Sequence, residues 1–202
     1  MALIRSLKAN VSEEEAIAQF SAPGAWNRLS EARFGPLRSV ARFYIPFRLF
    51  QVEIRNGGRL ACSILGVDAV TGSLNPYGFP SLPSDDEIVV LETRNCPPPR
   101  LEPAQAGQLL ITKVERLLFT SGFFRLRDLR IRAMPVAGEI HIPYWVGFRG
   151  AGQRARWVVL DAVRRKKEGA KVGHLLASWL SSVQAEKLGV DSAGKPGSRR
   201  LG

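Results

Sequence analysis

Two short sequence patterns occur twice in this chain in the same order, and this repetition limits the folds that it can adopt. Ile-Pro followed by an aromatic residue stands at residues 45–47 and again at 142–144. Asp-Ala-Val stands at residues 68–70 and again at 161–163. From Ile45 to Ile142 is 97 residues, and from Asp68 to Asp161 is 93. The repetition predicts a duplicated β-hairpin unit and a fold with approximate internal two-fold symmetry.

The first hairpin is indicated by apolar and polar residues that alternate over residues 39–54. The apolar positions change from odd to even numbers after Leu49, which predicts a β-bulge there because a period-2 pattern otherwise keeps its face. Asn-Gly-Gly at residues 56–58 predicts a tight turn, since these residues accept positive φ at little cost. The other hairpin predictions are a return strand over 60–67, and strands over 139–149 and 154–163 joined by a turn at 150–152.

Helices are indicated by capping residues and by apolar stripes. Ser12 with Glu15 three positions later is a capping box, which predicts a helix that ends near Phe20. Pro103 and Gly122 bound another helix, because proline suits the first turn and glycine the end. Its apolar stripe consists of Ala106, Leu109, Leu110, Val114, Leu117 and Leu118. The remaining predictions are a helix over 25–33, a strand over 87–93 and a closing helix over 168–180.

These elements predict an α+β fold in which internally duplicated helix plus β-hairpin units share an antiparallel sheet, with helices packed on it. The first αββ-like repeat is predicted over residues 1–100, including a proline-rich connector, and the second over 101–182. The two repeats are expected to form one compact domain. A flexible basic tail is predicted over 183–202.

The formal net charge of +11 favours acidic partners, of which nucleic acid and anionic membrane surfaces are the usual ones. Two basic runs are the candidate anion or nucleic-acid site: Arg125, Arg127, Arg130, Arg132, Arg164, Arg165, Lys166 and Lys167. The alternative is that both runs are ordinary solvent-exposed faces. The second run precedes a predicted helix, where cations oppose the helix dipole, and that cost suggests either a use for the charge or an exposed turn.

A candidate ligand groove is formed by side chains that flank the repeated prolines, namely Tyr44, Phe47, His141, Tyr144 and Trp145. Aromatic side chains can stack on a ligand or a base. On strands they also pack well in a core, and that alternative remains open. Pro46 and Pro143 lack an N–H group, so each is predicted to mark an edge strand or a bulge.

Asp68 and Asp161 end the two hairpins and are candidate site residues. Two related carboxylates could act as an acid–base pair or bind a metal. The favoured interpretation is structural, because aspartate accepts backbone hydrogen bonds where a strand enters a turn. His141 and His174 have no partner at zinc-ligand spacing, and the sequence has no glycine-rich phosphate loop. No metal or other cofactor is predicted.

The turn at residues 68–72, Asp-Ala-Val-Thr-Gly, resembles the turn that ends PepSY-type domains. The second copy has Arg164-Arg165 where the first has Thr71-Gly72. The resemblance covers only this turn, and no function is carried over from it.

A cytoplasmic location is expected from three observations. The first residues contain no apolar signal-peptide core. No window approaches the ~18 apolar residues that a membrane-spanning helix needs. Cys62 and Cys96 are interpreted as reduced thiols, because nothing else in the sequence indicates export.

The sequence therefore favours a non-catalytic cytoplasmic binding or scaffold module that engages a protein or peptide partner. The alternative is a nucleic-acid-binding accessory protein that uses an arginine-rich face. An enzyme is not expected, since it would need Asp68, Asp161 or His141 in a shared cleft.

Overall fold

The structure is a computed structural model that describes residues 1–21, 32, 35–122, 127–150 and 156–193. Within these residues the fold is mixed α/β, with a curled sheet of eight strands and three α-helices. The elements are β1 (Ala2–Leu7), α1 (Glu13–Ser21), β2 (Leu37–Asn56), β3 (Arg59–Asp68), β4 (Tyr77–Phe79), β5 (Ile88–Thr93), α2 (Pro103–Gly122), β6 (Arg130–Arg149), β7 (Arg156–Asp161), β8 (Lys166–Lys167) and α3 (Ala170–Ala193).

The sheet is organised around β2 and β6, which pair antiparallel along almost their whole length. β3 pairs with the other edge of β2, and β4 with β3. On its other edge, β6 pairs with both β7 and β1. β5 pairs with the outer edge of β1, and β8 pairs with the outer edge of β7. The sheet is antiparallel, as predicted, except that Ser6 on β1 pairs in parallel with His141 on β6. β1, β4 and β8 were not predicted from the sequence, because each is short and lacks an alternating pattern.

The predicted register irregularity near Leu49 is confirmed, but the extra residues belong to β6 and not to β2: one residue, Leu49, stands against residues 136–138. The register of β2 against β6 shifts between Arg48 and Phe50. Before the shift, Phe47 and Leu49 pack in one core cluster, whereas Phe50 after it packs in another. β2 keeps an unbroken register with β3 from Phe47 to Asn56, so its side chains alternate without an extra residue. Phe47 and Phe50 therefore point to opposite faces, and the apolar side of β2 changes because a different cluster covers each part of the strand.

Each helix covers its own part of the core. α3 packs on the largest cluster, where Trp179 meets Phe43 edge-on with ring centroids 5.8 Å apart. α1 lies on the opposite face of β6, because it packs with Trp145 whereas α3 packs with Tyr144. α2 covers the segment of β2 that follows Leu49. The helices therefore cover both faces of the curled sheet.

Two local predictions are confirmed by hydrogen bonds and dihedral angles. The Glu15 amide donates to Ser12 Oγ at 3.2 Å, and the Ser12 amide donates to Glu15 Oε2 at 3.1 Å, so the capping box begins α1. Gly57 and Gly58 form the two-residue turn between β2 and β3, with φ of 54° and 81°. Left-handed backbone at both positions is what such a hairpin turn needs, and glycine adopts it without strain.

The prediction of an edge strand or bulge at the repeated prolines is wrong. Pro46 pairs with His141 and Pro143 with Tyr44, both in the interior of the sheet and away from the register shifts. Each proline carbonyl accepts a bond from the residue after the neighbouring strand, Ala69 or Ala162. In a β-strand, the N and C=O groups of one residue point toward the same neighbouring strand. On that side of each proline the neighbouring strand has already ended. The missing N–H group therefore removes no hydrogen bond from a strand ladder.

The boundaries of several predicted elements differ in the structure. The closing helix, predicted over 168–180, runs from Ala170 to Ala193, so residues 183–193 of the predicted tail are helical. The remainder of that tail, nearly all of the predicted helix over 25–33, and most of the predicted turn at 150–152 lie outside the described residues.

Candidate functional site

Asp68 and Asp161 each accept backbone amides of the turn that follows them. Asp68 Oδ1 accepts the amides of Thr71 and Gly72 at 2.8 Å, and Asp161 Oδ1 accepts those of Val163 and Arg164 at 2.8 Å. Both carboxylates are fully buried. These bonds agree with the structural interpretation, in which a buried carboxylate satisfies the amides of the turn that follows it.

The two aspartates differ in their second oxygen. Asp68 Oδ2 accepts the amide of Leu74 at 2.8 Å, because the chain after Gly72 curls back over the carboxylate. Asp161 Oδ2 has no hydrogen-bond partner among the described residues, and neither does the hydroxyl of Tyr77, which is only 5% exposed. Burial and then the nearby Asp161 charge raise the pKa of Tyr77, so this phenol stays protonated and able to donate. A hydrogen bond with the Asp161 carboxylate also contributes to the raised pKa, so the buried acceptor and the buried donor at the second turn lie close to each other.

A cavity of about 450 Å³ adjoins Tyr77 and is called the polar cavity below. Phe47 and Tyr144 lie in its wall, together with Tyr77, the first residue of β4. Its charged lining comes from the segment that follows β7 and from the first turn of α3: Arg164, Lys166, Glu168 and Lys171. Burial and then Asp161 raise the pKa of Glu168. The polar cavity thus combines three cations with a carboxyl group that takes up a proton more readily than usual.

The predicted groove residues do not share one surface. All five are buried, and of these Phe47 and Tyr144 line the polar cavity. Trp145 packs under α1 and donates from Nε1 to the Val11 carbonyl at 2.9 Å. The Nδ1 atom of His141 lies 3.0 Å from the Arg5 carbonyl oxygen, and burial lowers the pKa of His141. Tyr44 lies on the same face of the sheet as His141 and Trp145, opposite Phe47 and Tyr144.

The two basic runs lie near different parts of β6. Arg130 and Arg132 begin β6, where they stand opposite Arg55 and Glu53 of β2. These four exposed or half-buried side chains line one small cavity and are called the arginine cluster below. Arg127 lies beside the β2–β3 turn, where its amide donates to Asn56 Oδ1 at 2.7 Å. Arg125 lies outside the described residues.

The second basic run is partly used within the protein. The Arg164 guanidinium lies 3.3 Å from the centroid of the Tyr77 ring and donates to the Gly78 carbonyl. Arg165 donates to the Asn10 carbonyl at 2.6 Å. Lys166 and Lys167 form β8, and only Lys166 lines the polar cavity. The run therefore fixes the loop between β7 and α3, with Lys166 left facing the cavity.

A second and larger cavity of about 950 Å³ lies between α2 and the sheet and is called the apolar groove below. Its lining residues are Phe50, Leu101, Pro103, Ala104, Gln105, Gly107, Gln108, Leu109, Ile111, Ala133 and Pro135. None of these side chains is ionisable. Leu109 is 38% exposed although the stripe of α2 predicts it in the core, because α2 turns only Ala106, Leu110 and Val114 fully onto the sheet.

Sequence reasoning missed Tyr77, Glu168 and Lys171 as members of a site. Tyr77 belongs to a three-residue strand, and Lys171 lies at the start of a helix almost a hundred positions later. Only tertiary structure brings these positions together. The one sequence signal was the basic run placed just before a helix, which is an unfavourable position for cations unless their charge has a use.

No protein-family model, curated protein or solved structure matches this chain. The resemblance of the turn at residues 68–72 to PepSY-type domains therefore has no family match behind it. No helix in the described part of the chain is long and apolar enough to cross a membrane. Over the same residues, no three His, Cys, Asp or Glu side chains are grouped so that they could hold a metal ion. Function has to be inferred from geometry and charge.

Proposed function

We propose that the protein is a non-catalytic cytoplasmic binding or scaffold module that engages a peptide segment of a protein partner. The apolar groove carries this proposal. Its volume is within the range of ligand sites, and its lining offers apolar side chains with a few amide groups. Acid–base catalysis needs a titratable group within reach of the substrate, and the lining supplies none.

The expected occupant is a short peptide with apolar side chains and acidic neighbours. Apolar side chains fit the groove because they leave no buried charge unpaired. Acidic neighbours are expected because the protein carries a net charge of +11, which attracts acidic segments and speeds their association. Such a peptide would contact exposed lining residues of both α2 and β6, among them Leu109 and Pro135.

The proposal predicts that Pro135→Glu weakens peptide binding at least about tenfold, which corresponds to about 1.4 kcal/mol. Pro135 is exposed and lines the groove, so a carboxylate there would place a charge against the apolar peptide. Peptides would be selected from a displayed random library on the wild-type protein. The most enriched peptide would then be synthesised, and its affinity would be measured by fluorescence polarisation.

Pro98→Glu is the matched control, because Pro98 is exposed and does not line the groove. It changes the net charge equally and is expected to leave the affinity unchanged. Equal weakening by both variants would mean that only overall charge matters, and failure to enrich any peptide would remove the proposed function.

Nucleic-acid binding is the second candidate, and the arginine cluster favours it. Arg55 and Arg130 stand directly opposite each other, a pairing that costs energy because like charges repel. Glu53, opposite Arg132, offsets only part of the positive charge. Because these exposed arginines stand close together despite their mutual repulsion, the arginine cluster is suited to binding phosphate groups.

Nucleic-acid binding at the arginine cluster predicts that the Arg130→Ala, Arg132→Ala double variant lowers the slope of log affinity against log salt by about 2. The slope would be measured with labelled single- and double-stranded DNA and RNA across a salt titration. Arg94→Ala with Arg100→Ala removes the same charge from exposed positions elsewhere and should leave the slope nearly unchanged. Equal changes in the slope for both double variants would mean that the binding is only non-specific attraction.

We also infer that the two hairpins are copies of one unit, with residues 1–100 and 101–182 as the two repeats of one domain. The support is the pairing of Tyr44 with Pro143 and of Pro46 with His141, which are equivalent pairs about an axis between Ile45 and Ile142. Each aspartate also accepts the amide three residues later, that of Thr71 or of Arg164. The copies differ at the second carboxylate oxygen, which accepts the Leu74 amide only in Asp68.

A further inference from the structure

Tyr77 lines the polar cavity and is more than nine-tenths buried. Its hydroxyl makes no hydrogen bond of ordinary geometry among the described residues, but it lies close enough to Asp161 for a hydrogen bond with that carboxylate to contribute to its raised pKa. This donor therefore has an acceptor within the fold. A ligand is indicated instead by the volume of the cavity and by the charged side chains that line it.

The charged groups around the cavity indicate that this ligand is an anion. Arg164, Lys166 and Lys171 enter from three places: the turn after β7, the strand β8 and the first turn of α3. Lys171 also holds the rim, since its Nζ donates to Asn75 Oδ1 at 2.9 Å. The cavity meets the N-terminal end of α3, where amides without helix partners and the helix dipole favour negative charge.

The opposing charge is Glu168, which faces the same space, with Asp161 buried behind it. Three cations against these two carboxylates leave a net positive site. Burial and Asp161 raise the pKa of Glu168, so a bound anion can be accommodated by protonation of this group. The carboxylates therefore reduce affinity without excluding an anion.

We propose that the polar cavity binds a small organic phosphate, with Arg164, Lys166 and Lys171 holding the phosphate group. A phosphate accepts several charge-assisted hydrogen bonds at once, which suits donors that converge from separate elements. A volume of about 450 Å³ is larger than a phosphate group needs and is typical of sites for small organic molecules. Phe47, Tyr144 and Val172 form the apolar part of the wall, against which the organic part would lie.

The test is isothermal titration calorimetry at fixed ionic strength with phenyl phosphate, inorganic phosphate and benzoate as probes. Phenyl phosphate is expected to bind more tightly than inorganic phosphate, because its ring reaches the apolar wall. It is also expected to bind more tightly than benzoate, because a phosphate occupies more of the donors. Benzoate as the strongest probe, or no binding of phenyl phosphate, would overturn the proposal.

Variants then assign the binding to this cavity. Lys166→Glu should weaken phenyl phosphate binding about tenfold or more. Lys167→Glu changes the net charge equally from the adjacent exposed position and should have little effect. Glu168→Gln removes the opposing charge and should strengthen binding. Equal losses of affinity in the two lysine variants, or weaker binding in Glu168→Gln, would mean that phenyl phosphate binds outside the polar cavity.

Discussion

Asp68→Asn is expected to lower the free energy of unfolding by about 2–4 kcal/mol, whereas Asp161→Asn lowers it by about 1 kcal/mol or less. The difference follows from the second carboxylate oxygen. Asp68 Oδ2 accepts the Leu74 amide, so an asparagine NH₂ group there would face another donor. Asp161 Oδ2 has no partner among the described residues and lies near the Tyr77 hydroxyl, which can accept a bond from that NH₂ group.

The measurement is urea unfolding of both variants and the wild type, extrapolated linearly to water. The two substitutions are chemically identical and both sites are fully buried, so each variant is the control for the other. Similar losses would mean that the charge, and not the hydrogen bond to Leu74, is what the fold requires. A larger loss at Asp161 would contradict the assignment of its second oxygen as a spare acceptor.

Leu110→Ala is expected to cost about 2–5 kcal/mol of stability, the usual range for a fully buried leucine. Leu110 has no exposed surface and packs between α2 and the sheet. Leu109→Ala, one residue earlier, is expected to cost about 1 kcal/mol, because that side chain is 38% exposed in the apolar groove. Thermal unfolding of the two variants compares them directly.

The comparison of the two leucines also bears on the proposed function. If Leu109 belongs to a binding surface, its removal should weaken peptide binding more than it lowers stability. Leu110→Ala should lower stability and leave the affinity of the remaining folded protein close to that of the wild type. Equal costs of unfolding would show that α2 packs in a different orientation, with the groove closed.

The pattern of residues 39–54 and the glycines that follow it allowed the strand and the turn to be predicted. The change from odd to even apolar positions after Leu49 did not require a bulge in β2, because regular alternation already places odd and even positions on opposite faces. The turn at Gly57 and Gly58 follows from backbone freedom alone. The capping box at Ser12 is a third local signal, because its two hydrogen bonds join residues three positions apart.

Other features depend on which element lies against which, and the pattern of α2 could not decide them. Leu109 and Leu110 fit its apolar stripe equally well, because a stripe has a width of more than one residue. Only the rotation of α2 on the sheet buries one and exposes the other. Likewise, the prolines in β2 and β6 indicated edge strands, since the sequence does not show where a neighbouring strand ends.

The sequence by itself determined the helices that carry caps, the first hairpin with its turn, and the aspartates that hold the two turns. Each of these depends on residues only a few positions apart. Tertiary structure alone decided that Tyr77, Lys166 and Lys171 share a cavity and that the Tyr77 hydroxyl lies near the Asp161 carboxylate. The physical reason is that a site assembled from distant segments is a property of packing, and packing leaves no periodic pattern in the chain.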